Sequence, residues 1–283
     1  MIIIDMNQIA LASLMMNLNM NKSKTADEEM VRHMILNSVR LYRTAYYQEY
    51  GEVVLAWDSK HSWRRDYFPE YKASRRKGRQ QSNLDWDNIF EVLNKIRDEI
   101  RENFPYKYLE IHGAEADDII GLLCEEFHYQ KIMIISGDKD FIQLQKYSTI
   151  KQYSPITKKL VNGHNPKTYI KEHILKGDVS DGIPNVLSPD HTFTDGLRQR
   201  PLSKKKIESW RDTDISSIPN WNDEIKRNYQ RNDKLINLDK IPEDLEETIL
   251  DNFNEAPYGD RSKLLNYFIK SRLKSLTENI GEF

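Results

Sequence analysis

Short apolar runs alternate with longer amphipathic stretches through the first half of the chain. Met1–Asp5 (MIIID) is an apolar run closed by an acid. Thr25-Ala-Asp-Glu28 has the form of a capping box. It opens a helical pattern through Met30, Ile35, Val39, Leu41 and Tyr46, with Gly51 as its stop. Val53–Trp57 (VVLAW) reads as a buried strand ending at Asp58. A basic stretch follows, then a helical pattern from about Ser82 to Asn103 through Trp86, Ile89, Val92, Leu93, Ile96 and Ile100. Tyr108–Ile111 and Ile132–Ser136 read as strands, Glu115–Phe127 as a helix, and a short helix starts near Asp138. Short apolar strands alternating with helices predict an α/β fold with a mainly parallel central sheet flanked by helices.

The pattern changes after Lys176. Asn165-Pro166 reads as a cap with proline at the first helical position, and Gly177 ends that helix. Beyond it lie no apolar strand runs, only helical patterns over Glu243–Asn254 and Arg261–Leu276. The expected division is an α/β domain over 1–176 and a smaller helical domain over 177–283. The length of 283 residues admits such a division.

Composition narrows the class. The chain has 15 Tyr, 9 Phe and 5 Trp, more aromatics than a disordered chain carries. No apolar run approaches the ~18 residues of a membrane span. The opening MIIIDMNQ has no basic segment and an acid within its apolar stretch, unlike a signal peptide. A single cysteine, Cys124, excludes an internal disulfide and a Cys-based zinc site. The 7 histidines show no metal-binding spacing.

The net charge of −2 conceals two clusters of opposite sign. Parallel sheets bind ligands at the carboxyl ends of their strands. Acids close the strand-like segments there: Asp5; Asp58; Glu115, Asp117 and Asp118; Asp138 and Asp140. Asp178 and Asp181 open the second domain. Converging carboxylates raise one another's pKa values, and hard divalent cations such as Mg²⁺ relieve that conflict. Each acid alone also reads as a helix cap, a first-turn acid or a loop residue; holding at every strand end together is what favours a metal cluster. Between Lys60 and Arg79 eight basic residues face two acids, a local +6. They are Lys60, Arg64, Arg65, Lys72, Arg75, Arg76, Lys77 and Arg79, interleaved with Trp63, Tyr67, Phe68 and Tyr71. Such a mixture neutralises phosphates and stacks on unpaired bases. A second basic cluster, Arg198, Arg200, Lys204, Lys205 and Lys206, contains no acid. In isolation a charge run is a solvated loop; adjacency to Asp58 gives the first cluster its interest.

These motifs, in this order, resemble the 5′ nuclease family of flap endonucleases, polymerase-associated 5′→3′ exonucleases and phage replication nucleases. The resemblance rests on EADD (115–118), SGDKDFIQL (136–144), GDVSDGIPNV (177–186) and FPEYKASR (68–75), and spans nearly the whole chain. MVRHMILNSV (30–39) and WRRD (63–66) point to the phage branch. The resemblance implies a PIN-like nuclease domain with an arch or clamp over about 60–103, and a helix-turn-helix-like duplex grip starting at Gly177. It implies two Mg²⁺ ions, with Mn²⁺ able to substitute. Asp5, Asp58, Glu115, Asp117 and Asp138 would form the tighter site. Asp140, Asp178 and Asp181 would serve the second, with Asp118 nearby. Lys72 and Arg65 or Arg64 would be the basic residues above the scissile phosphate. Trp63, Tyr71, Arg75, Arg76, Lys77 and Arg79 would bind nucleic acid, as would the second basic cluster.

The implied activity is 5′→3′ exonuclease and flap cleavage on DNA and RNA·DNA duplexes, with removal of RNA primers in phage replication. Implied partners are flapped or nicked duplexes with a 5′ end, and a single-strand-binding protein or sliding clamp at the tail Asn279–Phe283. A monomer in the host-cell cytoplasm is expected, with no membrane partner. The family's glycine-rich cation turn after GDVSDGIPNV is not carried over, because LSPDHTFTDGLRQRP stands there. Two other readings remain. A haloacid-dehalogenase-type phosphatase would share SGDKD but needs a second Asp where Asn7 stands. A non-catalytic nucleic-acid-binding module would leave nine acids electrostatically adverse beside phosphate.

Overall fold

The computed structural model describes residues 1–283 apart from Ile215, Ser216 and Asn220, and the side chains of Arg76 and Lys77, two expected nucleic-acid contacts, lie outside the described residues. The elements run β1 (Ile2–Asp5), α1 (Met6–Asn21), α2 (Glu28–Tyr50), β2 (Val53–Trp57), α3 (Trp63–Tyr67), α4 (Ala73–Gln81), α5 (Trp86–Asn103), β3 (Lys107–Glu110), α6 (Ala116–Glu126) and β4 (Ile132–Ile135). They continue with β5 (Ile150–Ser154), β6 (Lys159–Val161), α7 (Pro166–Lys176), α8 (Lys204–Arg211), α9 (Asp223–Ile236), α10 (Glu243–Glu255), α11 (Ser262–Lys270) and α12 (Lys274–Thr277). The sheet order is β3-β2-β1-β4-β5-β6. All neighbours are parallel except β5 and β6. The parallel strands therefore end at one edge, and the acids after them gather there.

Side chains alternate across β1. Ile2 and Ile4 enter the core under α1, α2 and α5, and Ile3 enters the one under α6 and α10. Burial on both faces is what the unbroken apolar runs encode. Helix α1 has no periodic signature: its sequence is uncharged and apolar on several sides, and Asp5 caps it by accepting from the Gln8 amide. The cap of α2 is Asp27, accepting from the Met30 amide, rather than Thr25. Helix α5 buries Ile89, Val92, Ile96 and Ile100. The far half of the expected arch is thus a helix with one face in the core, while its Phe90, Leu93, Asn94 and Arg97 line the cavity at the sheet edge.

The C-terminal region is helical, as expected, and its last helices pack into the two cores of the sheet. Leu238, Ile241, Leu245, Ile249 and Phe253 join the α6-side core. Leu264, Tyr267, Phe268, Leu273, Leu276 and Phe283 join the other. The tail expected to contact a replication protein has its Phe283 fully buried against Phe104 and Phe268. Residues 177–236 remain beside the sheet edge, around a small core of Leu175, Val186, Ile207, Ile218 and Trp221. Gly177 enters this segment with φ +67°, and a Cβ there would lie 2.3 Å from the Ile183 carbonyl oxygen. Only glycine fits.

Candidate metal centre

A cavity of about 670 Å³ opens at the carboxyl edge of the sheet. Asp5, Asp58, Asp117, Asp138, Asp140, Asp178 and Asp181 line it, together with Lys72 and Arg75. Local hydrogen bonds fix the acids. Asp5 accepts from the Gln8 amide at 3.0 Å and from Ser136 Oγ at 2.9 Å. Asp58 accepts from the Ala116 amide at 2.7 Å, which ties β2 to the start of α6. Asp138 accepts from the Asp140 amide at 2.9 Å and so caps the 3-10 turns of Lys139–Lys146. Asp178 accepts from the Ser180 amide and hydroxyl, both at 2.7 Å. The capping and metal readings are therefore compatible. At Asp58, Asp138 and Asp178 these bonds occupy Oδ1 alone.

The electrostatics match a missing positive charge. Burial, reinforced by Asp58 and Asp138, pushes Asp5 up to about 7. Burial also pushes Asp140 up to about 7, with Asp138, Asp178 and Asp181 adding to it against His173. Burial and then Asp138 hold Asp117 well above the ordinary range. Burial and then Glu115 raise Asp58. A carboxylate set of this density fits hard divalent ions.

The remaining expected residues divide. Burial opposes ionisation of Glu115, but Lys72 and Arg64 hold it below the usual glutamate range. It accepts from Lys72 Nζ at 2.9 Å and Tyr71 Oη at 2.7 Å, and it stands behind Lys72. Asp118 is fully buried away from the cavity, paired to Arg64 at 2.8 Å and accepting from Trp63 Nε1 at 3.2 Å. Arg64 is itself 3 % exposed and donates through Nε to the Leu235 carbonyl. Arg64 and Asp118 thus form a buried ion pair under α3, and neither faces a phosphate. Trp63 and Tyr71 are equally committed; the single Tyr71 hydroxyl proton is shared between Glu115 at 2.7 Å and Asp181 at 2.9 Å. Tyr71 is buried, and Arg64 and Lys234 lie 4.7 and 5.2 Å from the centre of the Trp63 ring.

Lys72 does face the cavity. Its Nζ is 3.6 Å from Asp181, its backbone has φ +55°, and its amide donates to the Asp181 carbonyl. Arg75 pairs with Asp181 at 2.5 Å. Arg65 is exposed on α3. Arg79 lies 5.8 Å from the Phe90 ring. Arg198, Arg200 and Lys204–Lys206 are exposed, the lysines in the first turn of α8.

One site residue has no sequence signal. His173 of α7 places Nε2 3.4 Å from Asp178 Oδ2 and 3.6 Å from Asp140 Oδ1. These three side chains form a group able to hold a metal ion. His173 is invisible as a ligand because its partners lie on other segments.

The 5′-3′ exonuclease N-terminal resolvase-like domain matches residues 1–174, and the T4 RNase H C-terminal domain matches 165–283. The chain is 36% identical to the Ribonuclease H of Enterobacteria phage T4 over 99% of its own length and 95% of that protein. The chain belongs to the 5′-3′ exonuclease family. A second member, the 5′-3′ exonuclease of Buchnera aphidicola subsp. Acyrthosiphon pisum (strain APS), is 33% identical over 50% of each chain. The fold is also that of the T5 D15 protein, crystallised with metal ions, at TM-score 0.66 and 16% identity over 90% of this chain and 98% of that one. A T5 D15 flap endonuclease complex with DNA and metal ions aligns with TM-score 0.66 at 17% identity, with the same coverage. As a 5′-3′ exonuclease family member the protein is a metal-dependent nuclease, and the phosphatase reading is not favoured. Among the described residues, no helix is long and apolar enough to cross a membrane.

Proposed function

We propose that this protein is a Mg²⁺-dependent 5′→3′ exonuclease and flap endonuclease acting on DNA and RNA·DNA duplexes, with removal of RNA primers during phage replication as its role. The observation that carries this is the convergence of seven carboxylates and Lys72 on one cavity, in a chain related end to end to a phage ribonuclease H. Asp5, Asp58, Asp117 and Asp138 would hold the tighter of two ions, with Glu115 behind them, and Asp140, Asp178 and Asp181 the other. When bound, the ions would supply Lewis-acid activation of water and charge neutralisation at the phosphate. Lys72 is the positioned cation for charge that develops on the scissile phosphate. It reaches the cavity because its own amide is tied to the Asp181 carbonyl and the preceding Tyr71 side chain is anchored on Glu115 and Asp181. Arg75 is half-exposed and pairs with Asp181 and the Ser180 carbonyl, so a phosphate can compete for it. The supported division of labour is catalysis on the sheet edge and duplex binding by 177–236, with Arg198, Arg200 and Lys204–Lys206 on the backbone.

The test is cleavage of a 5′-labelled flap substrate with Mg²⁺, with EDTA, and by Asp138→Asn. Cleavage that requires Mg²⁺ and is lost in the variant supports the assignment. Cleavage in EDTA, or near-normal activity of the variant, overturns it.

A further inference from the structure

Resting on the metal-dependent reading of this cavity, we propose that His173 is a direct ligand of the second cation, which makes that site a mixed nitrogen–oxygen site. Three observations carry the assignment. First, its Nε2 is fully buried and makes no aligned hydrogen bond, although carboxylate oxygens lie at 3.4 and 3.6 Å. A charge-assisted bond between such groups closes to about 2.7–2.9 Å. Two metal bonds of about 2.1 Å meeting near the tetrahedral angle place their donors about 3.4 Å apart. The spacing is that of ligands around an ion. Second, the other ring nitrogen is engaged. Nδ1 is 3.3 Å from Tyr169 Oη, one turn earlier on α7, with the rings 5.6 Å apart. An Nδ1–H donated to an oxygen leaves the Nε2 lone pair free and fixes the ring plane, the usual outer support of a metal-bound imidazole. Third, the carboxylate nearest the ring is itself held. Asp178 is fixed through Oδ1 by Ser180, which leaves Oδ2 toward the histidine. Asp140 lies in the first turn after the Asp138 cap.

A nitrogen donor alters selectivity. Imidazole suits Zn²⁺ and the later first-row ions, whereas Mg²⁺ prefers carboxylate, carbonyl and water. His173 therefore favours Co²⁺ or Zn²⁺ at the second site more than it favours Mg²⁺.

The experiment is a titration of the full-length apoprotein, without nucleic acid, with Co²⁺ followed by its d–d absorption and with Mg²⁺ by calorimetry. His173→Gln and His173→Ala are compared with wild type. Expected is a loss of Co²⁺ affinity at one of the sites by at least about tenfold, since removing even an outer partner costs that much, with an altered band and a clearly smaller change for Mg²⁺. An unchanged Co²⁺ spectrum and affinity overturns the proposal, and so does an equal loss for both ions, which marks a structural role. A reading on the wild type alone covers variants that fail to fold. Co²⁺-loaded protein is expected to show a hyperfine-shifted, exchangeable imidazole N–H resonance, and its absence overturns the assignment. Flap cleavage by the wild type is scored separately: cleavage without the Co²⁺ signature refutes the ligand and leaves the nuclease reading standing. The Co²⁺ signature without cleavage does the reverse.

Discussion

Asp5→Asn is expected to stabilise the metal-free protein while removing one of the carboxylates proposed to hold the metal. Asp5 is 6 % exposed and its carboxyl is pushed from 3.8 up to about 7, first by burial. The native state thus keeps a proton that the unfolded chain has released. Stability contributed by this group falls as pH rises from about 4 to about 7 and is flat above. The full gap corresponds to about 4 kcal/mol, and the span from pH 5 to pH 7 to roughly 3 kcal/mol. The amide substitute keeps the geometry. It can still accept from the Gln8 amide, and its NH₂ can donate to Ser136 Oγ by rotation of that hydroxyl. Urea unfolding in EDTA at pH 5, 6, 7 and 8 measures the difference. The variant should be the more stable protein at pH 8, with an advantage that shrinks by roughly 3 kcal/mol toward pH 5. Asp140 also titrates near 7, but it is common to both proteins and largely cancels. A divalent ion at 100 times its Kd should return about 3 kcal/mol to the wild type alone. An advantage that does not depend on pH, or a variant weaker than wild type at pH 8, would refute the buried-charge argument.

Arg64→Met should destabilise the fold by about 3–5 kcal/mol in thermal or urea unfolding, because Asp118 and Glu115 lose a buried counter-charge; Arg65→Ala should stay within about 0.5 kcal/mol of wild type. Lys72→Ala should slow single-turnover cleavage by about 10²-fold, the worth of one positioned donor, with little change in substrate affinity; a pure affinity loss would make Lys72 a tether. Replacing Lys204–Lys206 with alanine should reduce the salt slope of duplex binding by up to about 0.9 per lost phosphate contact. Gly177→Ala should cost at least about 1–3 kcal/mol, since its Cβ meets the Ile183 carbonyl in a left-handed backbone.

The strands and the acids were legible for one physical reason. A strand buried on both faces must be an unbroken apolar run, and a parallel sheet puts every run's last residue at the same edge. Direction around a helix was not legible. Arg64 and Arg65 are adjacent in the basic segment, yet α3 turns one inward to Asp118 and the other to solvent. Asp117 and Asp118 part in the same way on α6. Helix α1 carries no charge to mark its solvent face, and Met16 and Met20 are over half exposed on it. Strand β5 escaped because it places Lys151 and Gln152 within its run, with Gln152 buried to donate to the Ser136 and Asp138 carbonyls. The C-terminal helices showed their period but not their partners, which lie near the other end of the chain.

The division of labour within EADD bears on how mutants of this protein are to be interpreted. Asp117 faces the cavity, whereas Asp118 holds up α3 through Arg64 and the Glu115 amide. Replacing either is expected to cost activity, so an activity screen alone would record two equivalent residues side by side. The two lesions separate only when thermal midpoint and turnover are read side by side. Inactivity with an intact or raised midpoint reports a lost ligand, and inactivity with a collapsed midpoint reports a lost foundation.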